Sequence, residues 1–296
     1  MTESVADALT GATRRLAAAG VQSPRADSEL LLAEVTGTPR GLLCGLSRLS
    51  DETAAAFRAA IARRETREPL QHITGQATFR YLDLEVGAGV FVPRPETEVM
   101  AGVAVDELRR LLSTTPEPLA VDLCSGSGAV ALAMATEASG CRVVAVELSP
   151  QAVDYASRNV AGHQVEVRCG DIADAVDDLA GQVQVVTANP PYIPLTAYES
   201  VAVEARQFDP PSALWAGDDG LQMIGAVAEV AARLLTDGGL VLCEHADVQG
   251  DTAPAVFAAS GRWVDVRDRD DLAGRPRFVS ARRAPRSSGT PGTMTG

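Results

Sequence analysis

The tetrapeptide Asn189-Pro190-Pro191-Tyr192 follows the apolar run Val183, Val185, Val186, Ala188, and its residue types narrow the chemistry it can do. Pro190 forces Asn189 into an extended conformation, and neither Pro190 nor Pro191 has a backbone N–H. The turn therefore offers acceptors: the Asn189 side-chain oxygen and the carbonyls of Asn189 and Pro190. Tyr192 adds a flat ring beside them. Such a set suits a planar –NH2 on an sp2 carbon, whose two N–H bonds meet acceptors while the ring packs on its plane. That nitrogen is a poor nucleophile because its lone pair is delocalised. Acceptors placed for a pyramidal nitrogen favour the transition state over the planar ground state. No strong general base is needed if the proton leaves after the nitrogen gains positive charge, and no histidine lies beside the motif. For these residues alone, a rigid strand-ending turn is the plain alternative.

A second cluster lies upstream. Asp122 and Leu123 close an apolar run and lead into Cys124, Ser125, Gly126, Ser127 and Gly128, after which a helical pattern begins. A tight glycine turn between a strand and a helix brings backbone close to a ligand. The dinucleotide pattern G-x-G-x-x-G is incomplete, because Cys124 holds the first glycine position and Val130-Ala131 follow Gly128, so the third glycine is missing. Glu147 ends the next strand, nineteen residues after Gly128, where a carboxylate can accept from ribose hydroxyls. Asp171, after the third strand, is placed to reach an adenine amino group, with the backbone of Ile172 on the ring edge. Each acid alone could be a solvated turn; together with the loop they favour a nucleoside-bearing ligand.

The elements that must position these residues alternate. From Leu119 onward strand and helix patterns follow one another (LAVDL, AVALAMATEA, CRVVAVE, PQAVDYASRN, QVEVRC, QVQVVTA, a helix through 226–235, GLVLCEH), which predicts a parallel sheet covered on both faces. RWVDVRD and RFVSARR predict an antiparallel pair at its edge. The first ~75 residues read as helices, with Ser23 and Ser50 as N-caps, Pro24 at a first helical position and Gly37 after a last turn. FRYLDLEV, a turn at Gly87 and Gly89, then VFV predict a β-hairpin, and Pro95 is suited to open the following helix. The expected organisation is a helical domain over 1–75, a hairpin linker over 76–94, a catalytic domain over 95–284 and a disordered tail over 285–296.

Composition excludes several classes. The 296 residues carry a net charge of −13, and all 26 basic residues are arginine. A dense basic face for duplex nucleic acid is hard to build on such a chain, so a small molecule or a basic protein surface is the expected partner. No apolar run approaches the ~20 residues that span a bilayer, and the N-terminus lacks a signal-peptide pattern, so no membrane association and a cytoplasmic location are expected. The five cysteines lack C-x-x-C spacing and the three histidines lack ligand spacing, so no metal site is expected.

The segments DLCSGSG, Glu147, Asp171 and NPPY resemble the motifs of class I S-adenosylmethionine-dependent methyltransferases that modify amino nitrogens. PLQHITGQATFRYLDLEVGAGVFVPRPETE (69–98) is more specific: it is similar to the hairpin and P-R-P-E-T-E signature of the release-factor glutamine methyltransferases, the PrmC/HemK family. DPPSALWAGDDGL (209–221) and DLAGRPRFV (271–279) match that family's later segments. Cys124, where the family usually has glycine, and Glu147, where it usually has aspartate, are departures. The resemblance implies a Rossmann-like class I methyltransferase sheet with a small N-terminal helical domain and a linking hairpin. It also implies S-adenosyl-L-methionine held by residues 124–128, Glu147, Asp171, Ile172 and Asn189. The substrate glutamine would be held by Asn189, Pro190, Pro191 and Tyr192, with Asn189, Pro190 and Tyr192 carrying catalysis. Class I peptide-chain release factors would be the protein substrate, methylated at the glutamine of Gly-Gly-Gln, with the N-terminal helices helping recognition. An adenine-N6 nucleic-acid methyltransferase would use the same NPPY chemistry on a flipped base. A ribosomal-protein glutamine methyltransferase is a nearer alternative, and a non-catalytic cofactor-binding protein a more distant one.

Overall fold

The computed structural model describes residues 3–286, and its contacts divide the chain into two compact units. The expected tail lies almost wholly outside the described residues. One unit comprises residues up to Ala77, Glu85–Val92 and Ser200–Pro210; the other holds the remainder.

The first unit is built from α1 (Val5–Ala18), α2 (Pro24–Thr36), α3 (Asp51–Glu65) and α4 (Leu70–Thr74). Ser4 and Ser50 accept from backbone N–H groups in the first turns of α1 and α3, and Gly37 ends α2 in the left-handed conformation. Ser23 starts α2 without a side-chain bond. The apolar stripes of α1–α3 meet in one cluster through Leu9, Leu16, Leu31, Leu32, Phe57 and Ile61. Buried Arg64 on α3 donates to Asp27 of α2 at 2.8 Å and to Glu204 at 3.1 Å.

Strands β1 (Gln76–Phe79) and β2 (Leu82–Glu85) form a two-stranded sheet. This corrects the sequence expectation. The turn is at Arg80-Tyr81, and Val90-Phe91-Val92 is not a strand. Arg80 takes a left-handed φ of 54° and donates its N–H to Glu98 Oε1 at 3.0 Å, while its guanidinium grips Glu137 at 2.6 Å and 2.7 Å. Bonds to residues distant in sequence thus hold a turn that Arg-Tyr would not suggest, and Gly87–Gly89 only redirects the chain.

The second unit continues with α5 (Thr97–Leu111), β3 (Leu119–Leu123), α6 (Ala129–Glu137), β4 (Arg142–Glu147), α7 (Pro150–Asn159), β5 (Val165–Cys169) and β6 (Val183–Ala188). Helix α5 starts two residues after Pro95, behind a turn closed by Thr97 N–H to Arg94 O. After β6 come α8 (Val203–Phe208), which belongs to the first unit, then α9 (Pro211–Leu214), α10 (Gln222–Leu234), β7 (Leu235–Glu244), α11 (Thr252–Ala259), β8 (Trp263–Asp270) and β9 (Pro276–Arg283). The seven strands are ordered β5-β4-β3-β6-β7-β9-β8, parallel from β5 to β7, with β9 and β8 antiparallel.

Strand alternation splits the core into two layers. Val121, Leu123, Val144, Val146 and Val186 face α10 and α11, whereas Ala120, Val143, Ala145 and Val185 face α5 and α6. The chain steps outward from β3 to β4 to β5, then returns to place β6 on the other side of β3. The sheet order therefore reverses between β3 and β6, where Leu123 pairs with Ala188. At such a reversal the loops leaving the two carboxyl ends part in opposite directions and open a crevice.

Candidate functional site

The loops that part there are the two the sequence singled out. Cys124–Gly128 leaves β3 and Asn189–Tyr192 leaves β6.

The glycine loop alternates left-handed residues: Cys124 (φ 58°), Gly126 (φ 56°) and Gly128 (φ 81°). A Cβ at Gly128 would lie 3.3 Å from Val160 and 3.4 Å from Ala156, so this glycine lets the start of α6 press on α7. At Gly126 a Cβ would meet nothing within 4 Å, which leaves the backbone open to a ligand. Asp122, buried on β3, accepts from Ser125 Oγ and from Thr187 Oγ1, each at 2.7 Å, and ties the loop to the sheet. Burial pushes its carboxyl up to about 6 against the opposing effect of those two bonds. Asn159 donates to Ser127 O at 2.9 Å and anchors the loop from α7.

Glu147 sits at the end of β4, its Oε2 accepting from Gly126 N–H at 2.9 Å and its Oε1 from Ser149 N–H at 2.8 Å. Each oxygen keeps a lone pair for a further donor. Asp171 is exposed beyond β5 and caps its own turn by accepting from Ala173 N–H at 2.9 Å, while Ile172 is buried in the core layer facing α10. Burial, then the charges of Glu147, Asp122 and Asp171, hold the Cys124 thiol neutral.

The second loop is braced from three sides. Asn189 Nδ2 donates to Thr97 Oγ1 at 3.3 Å, and Thr97 Oγ1 donates to Glu244 Oε2 at 2.7 Å. Tyr192 Oη donates to Glu244 Oε1 at 3.1 Å. Gln249 donates to Tyr192 O at 3.2 Å, and Ile193 is paired with the strand-like segment around Trp215. Gly220 passes so close that a Cβ on it would fall 2.2 Å from Tyr192 O. Pro190 is buried; Asn189, Pro191 and Tyr192 are half-buried. Burial, then the field of Glu244, pushes the Tyr192 phenol far above its ordinary range, so it remains a donor.

Sequence reasoning missed Thr97 and Glu244. Thr97 was present as the threonine of P-R-P-E-T-E, and Glu244 as an acid ending an otherwise apolar strand at the carboxyl edge. Glu244 is 1% exposed, and burial pushes its carboxyl up to about 7 against the bonds and charges of Thr97, Arg277 and Tyr192. His245, next to it, is a structural residue whose Nε2 lies 2.9 Å from Asp268.

Two family models match: the PrmC N-terminal domain over residues 7–75 and a methyltransferase domain over residues 120–208. A release factor glutamine methyltransferase of Streptomyces coelicolor is 52% identical over 92% of this chain and 96% of its own length. The chain belongs to the release factor glutamine methyltransferase family. Another family relative, from Mycolicibacterium smegmatis, is 45% identical over 95% of this chain and 98% of its own length. A 4-amino-L-phenylalanine/4-methylamino-L-phenylalanine methyltransferase of Streptomyces pristinaespiralis is 41% identical over 90% of this chain and 91% of its own. The sheet and its two layers are the Rossmann-like fold of class I methyltransferases, and S-adenosylmethionine is the methyl donor.

The site fits that donor. The backbone at Gly126 is open, and Glu147 has acceptor capacity left. Among the described residues no helix is long and apolar enough to cross a membrane.

Proposed function

We propose that this enzyme methylates the side-chain amide nitrogen, N5, of the glutamine in the Gly-Gly-Gln motif of class I peptide-chain release factors. The observation that carries this reading is the orientation of Asn189: its NH2 is engaged by Thr97, which leaves its oxygen as an acceptor at the sheet reversal, one strand from the open glycine loop. Support also comes from relatives that bear the release-factor name and align over nearly the whole chain.

In this reading Glu147 holds the ribose, Asp171 and the backbone at Ile172 the adenine, and residues 124–128 the amino-acid portion of S-adenosylmethionine. When bound, S-adenosylmethionine supplies an electrophilic methyl carbon. Asn189 Oδ1 and the Pro190 carbonyl accept the two amide N–H bonds, and the Tyr192 ring packs on the amide plane. These acceptors draw the nitrogen toward pyramidal geometry, which localises the lone pair for attack. The nitrogen loses one proton to solvent after it has become cationic, so the site needs no general base. The N-terminal helices contribute to recognition of the release factor, which the enzyme meets in the cytoplasm.

The relative that acts on 4-amino-L-phenylalanine sharpens the test. An arylamine is also an –NH2 on an sp2 carbon and satisfies the same acceptors. The purified enzyme is incubated with S-adenosylmethionine and either a class I release factor, its Gly-Gly-Glu variant, or free 4-amino-L-phenylalanine. Mass spectrometry is expected to find one methyl on the Gly-Gly-Gln glutamine and none on the glutamate variant, whose carboxylate has no N–H to offer. Methylation of the free amino acid with an untouched release factor, or of any other residue, would overturn the proposal.

A further inference from the structure

We propose that Thr97 and Glu244 are positioning residues that set the polarity of Asn189, so that its side-chain oxygen and not its NH2 faces the acceptor nitrogen. The inference rests on the reading of Asn189 as the acceptor for that nitrogen.

The polarity follows from counting protons. An ionised carboxylate has none to give, so the hydroxyl hydrogen of Thr97 must point at Glu244 Oε2, 2.7 Å away. Thr97 Oγ1 is then left with lone pairs only on its other side. Asn189, at 3.3 Å, can meet it only with Nδ2. An amide whose NH2 is committed on one edge presents its oxygen on the other. The second carboxylate oxygen accepts from Tyr192 Oη at 3.1 Å and pins the ring by its tip. One buried acid thus orders both working parts of the NPPY turn, acting through hydroxyls and without touching substrate.

Protonation would reverse the chain. A proton on Oε2 would be donated to Thr97, whose own hydrogen would turn to Asn189 and require the amide to rotate. Its NH2 would then confront the substrate's NH2, donor against donor. The groups that face Glu244 are Arg277 on β9, Glu96 ahead of α5, Tyr192 on the turn and Cys243 on its own strand. Arg277 is shared with Asp271 at 3.2 Å, and burial, the dominant influence, pushes Glu244 up to about 7. The working polarity is therefore gained as pH rises through neutrality.

The test is kinetic, with the release factor as substrate and S-adenosylmethionine as donor, from about pH 5.5 to about pH 9. Wild type is expected to show kcat rising through an apparent pKa near the carboxyl of Glu244. Thr97→Val should lower kcat about ten- to a hundred-fold with KM and cofactor Kd within about two-fold, and Thr97→Ser should restore most of it. Glu244→Gln places one oxygen and one NH2 against the two hydroxyls. It should lower kcat partially and abolish the acid limb of the profile, because nothing there titrates. A readout without turnover is the affinity of a Gly-Gly-Gln peptide for the complex with S-adenosylhomocysteine. That affinity should weaken below neutrality in wild type and stay flat in Glu244→Gln. Added to Asn189→Ala, Thr97→Val should cost nothing further, since it acts through the missing amide. Wild-type kcat in Thr97→Val, or an unchanged acid limb in Glu244→Gln, removes the relay while a slow Asn189→Ala leaves the acceptor reading standing. Wild-type turnover in Asn189→Ala removes the acceptor reading itself. Should Thr97→Val melt early, the pH profile of Glu244→Gln decides alone.

Discussion

Cys124 occupies a backbone position that glycine would take without strain. Its φ of 58° costs a residue with a Cβ roughly 1 kcal/mol. Its half-buried thiol packs against the core layer that contains Val121 and Val186 and returns a similar amount. Cys124→Gly should therefore change stability by no more than about 1 kcal/mol and leave cofactor affinity intact, as thermal melting and calorimetry would report. A tenfold weaker affinity would mean that sulfur touches the donor. Glu147 has two tasks under the proposed reading, since its carboxylate holds Gly126 and Ser149 and would also accept from the ribose. Glu147→Ala should weaken S-adenosylmethionine binding by about 1–3 kcal/mol, and Glu147→Gln, which keeps one acceptor oxygen, by less. Equal affinity of the alanine variant and wild type in a titration would sink the ribose assignment.

At the scale of elements, the site depends on segments that contribute no reacting group. The 209–221 stretch, which carries a recognisable motif, acts here as a clamp: Ile193 donates to Leu214 O at 3.0 Å, and Ala216 donates to Ile193 O at 3.0 Å. Gly220 closes the clamp at φ 73°. Gly220→Ala drives a methyl group into Tyr192 O and the Gln249 amide, and backbone there has no room to yield. The expected loss is about 2–3 kcal/mol of stability together with at least about a tenfold fall in kcat. Cofactor affinity should survive, because the glycine loop is braced separately by Asp122 and Asn159. Cofactor affinity lost in step with kcat would show the two loops to be mechanically one. The P-R-P-E-T-E signature divides its work similarly: Thr97 reaches the β7 acid, and Glu98 accepts from the Arg80 N–H in the hairpin turn.

The whole molecule trades stability against the charge state of its buried acids. Glu244 and Asp122 have folded carboxyls near 7 and 6, above their ordinary values of 4.5 and 3.8. Between those limits the folded chain holds more protons than the unfolded chain, so unfolding free energy falls as pH rises from about 4 to about 7. Glu107, by contrast, is lowered to about 2 by Arg110 and Arg282, and its contribution is lost only as pH drops toward that value. Denaturant unfolding should thus show greater stability near pH 5.5 than near pH 8, by up to a few kcal/mol, and Glu244→Gln should flatten part of that slope. A rise in stability across the same interval would contradict the burial of these acids as ionisable groups. The net charge of −13 acts at longer range. A release factor that is basic around its Gly-Gly-Gln loop would be steered in, so kcat/KM should fall with added salt while kcat stays level. A salt-independent kcat/KM would leave steering no part in recognition.

By itself the sequence determined the parallel sheet, because the central strands, buried on both faces, read as short apolar runs that alternate with helical segments. It determined the edge pair β8 and β9, whose segments are rich in strand-forming residues, and the caps of α3 and α2, where Ser50 and Gly37 act within a few residues of their partners. It also marked the two loops, since glycine and proline restrict backbone locally whatever surrounds them. Only the tertiary structure decided the rest. The hairpin turn moved to Arg80-Tyr81 because Glu98 and Glu137 hold Arg80, a preference no local pattern encodes. The union of Thr97 with Glu244 spans 147 residues, and the value of that acid comes from burial, which belongs to the packed core and not to the residue. Local rules name the groups that can accept a proton or a hydrogen bond; the order in which strands β3 and β6 are laid side by side decides which of them face one another.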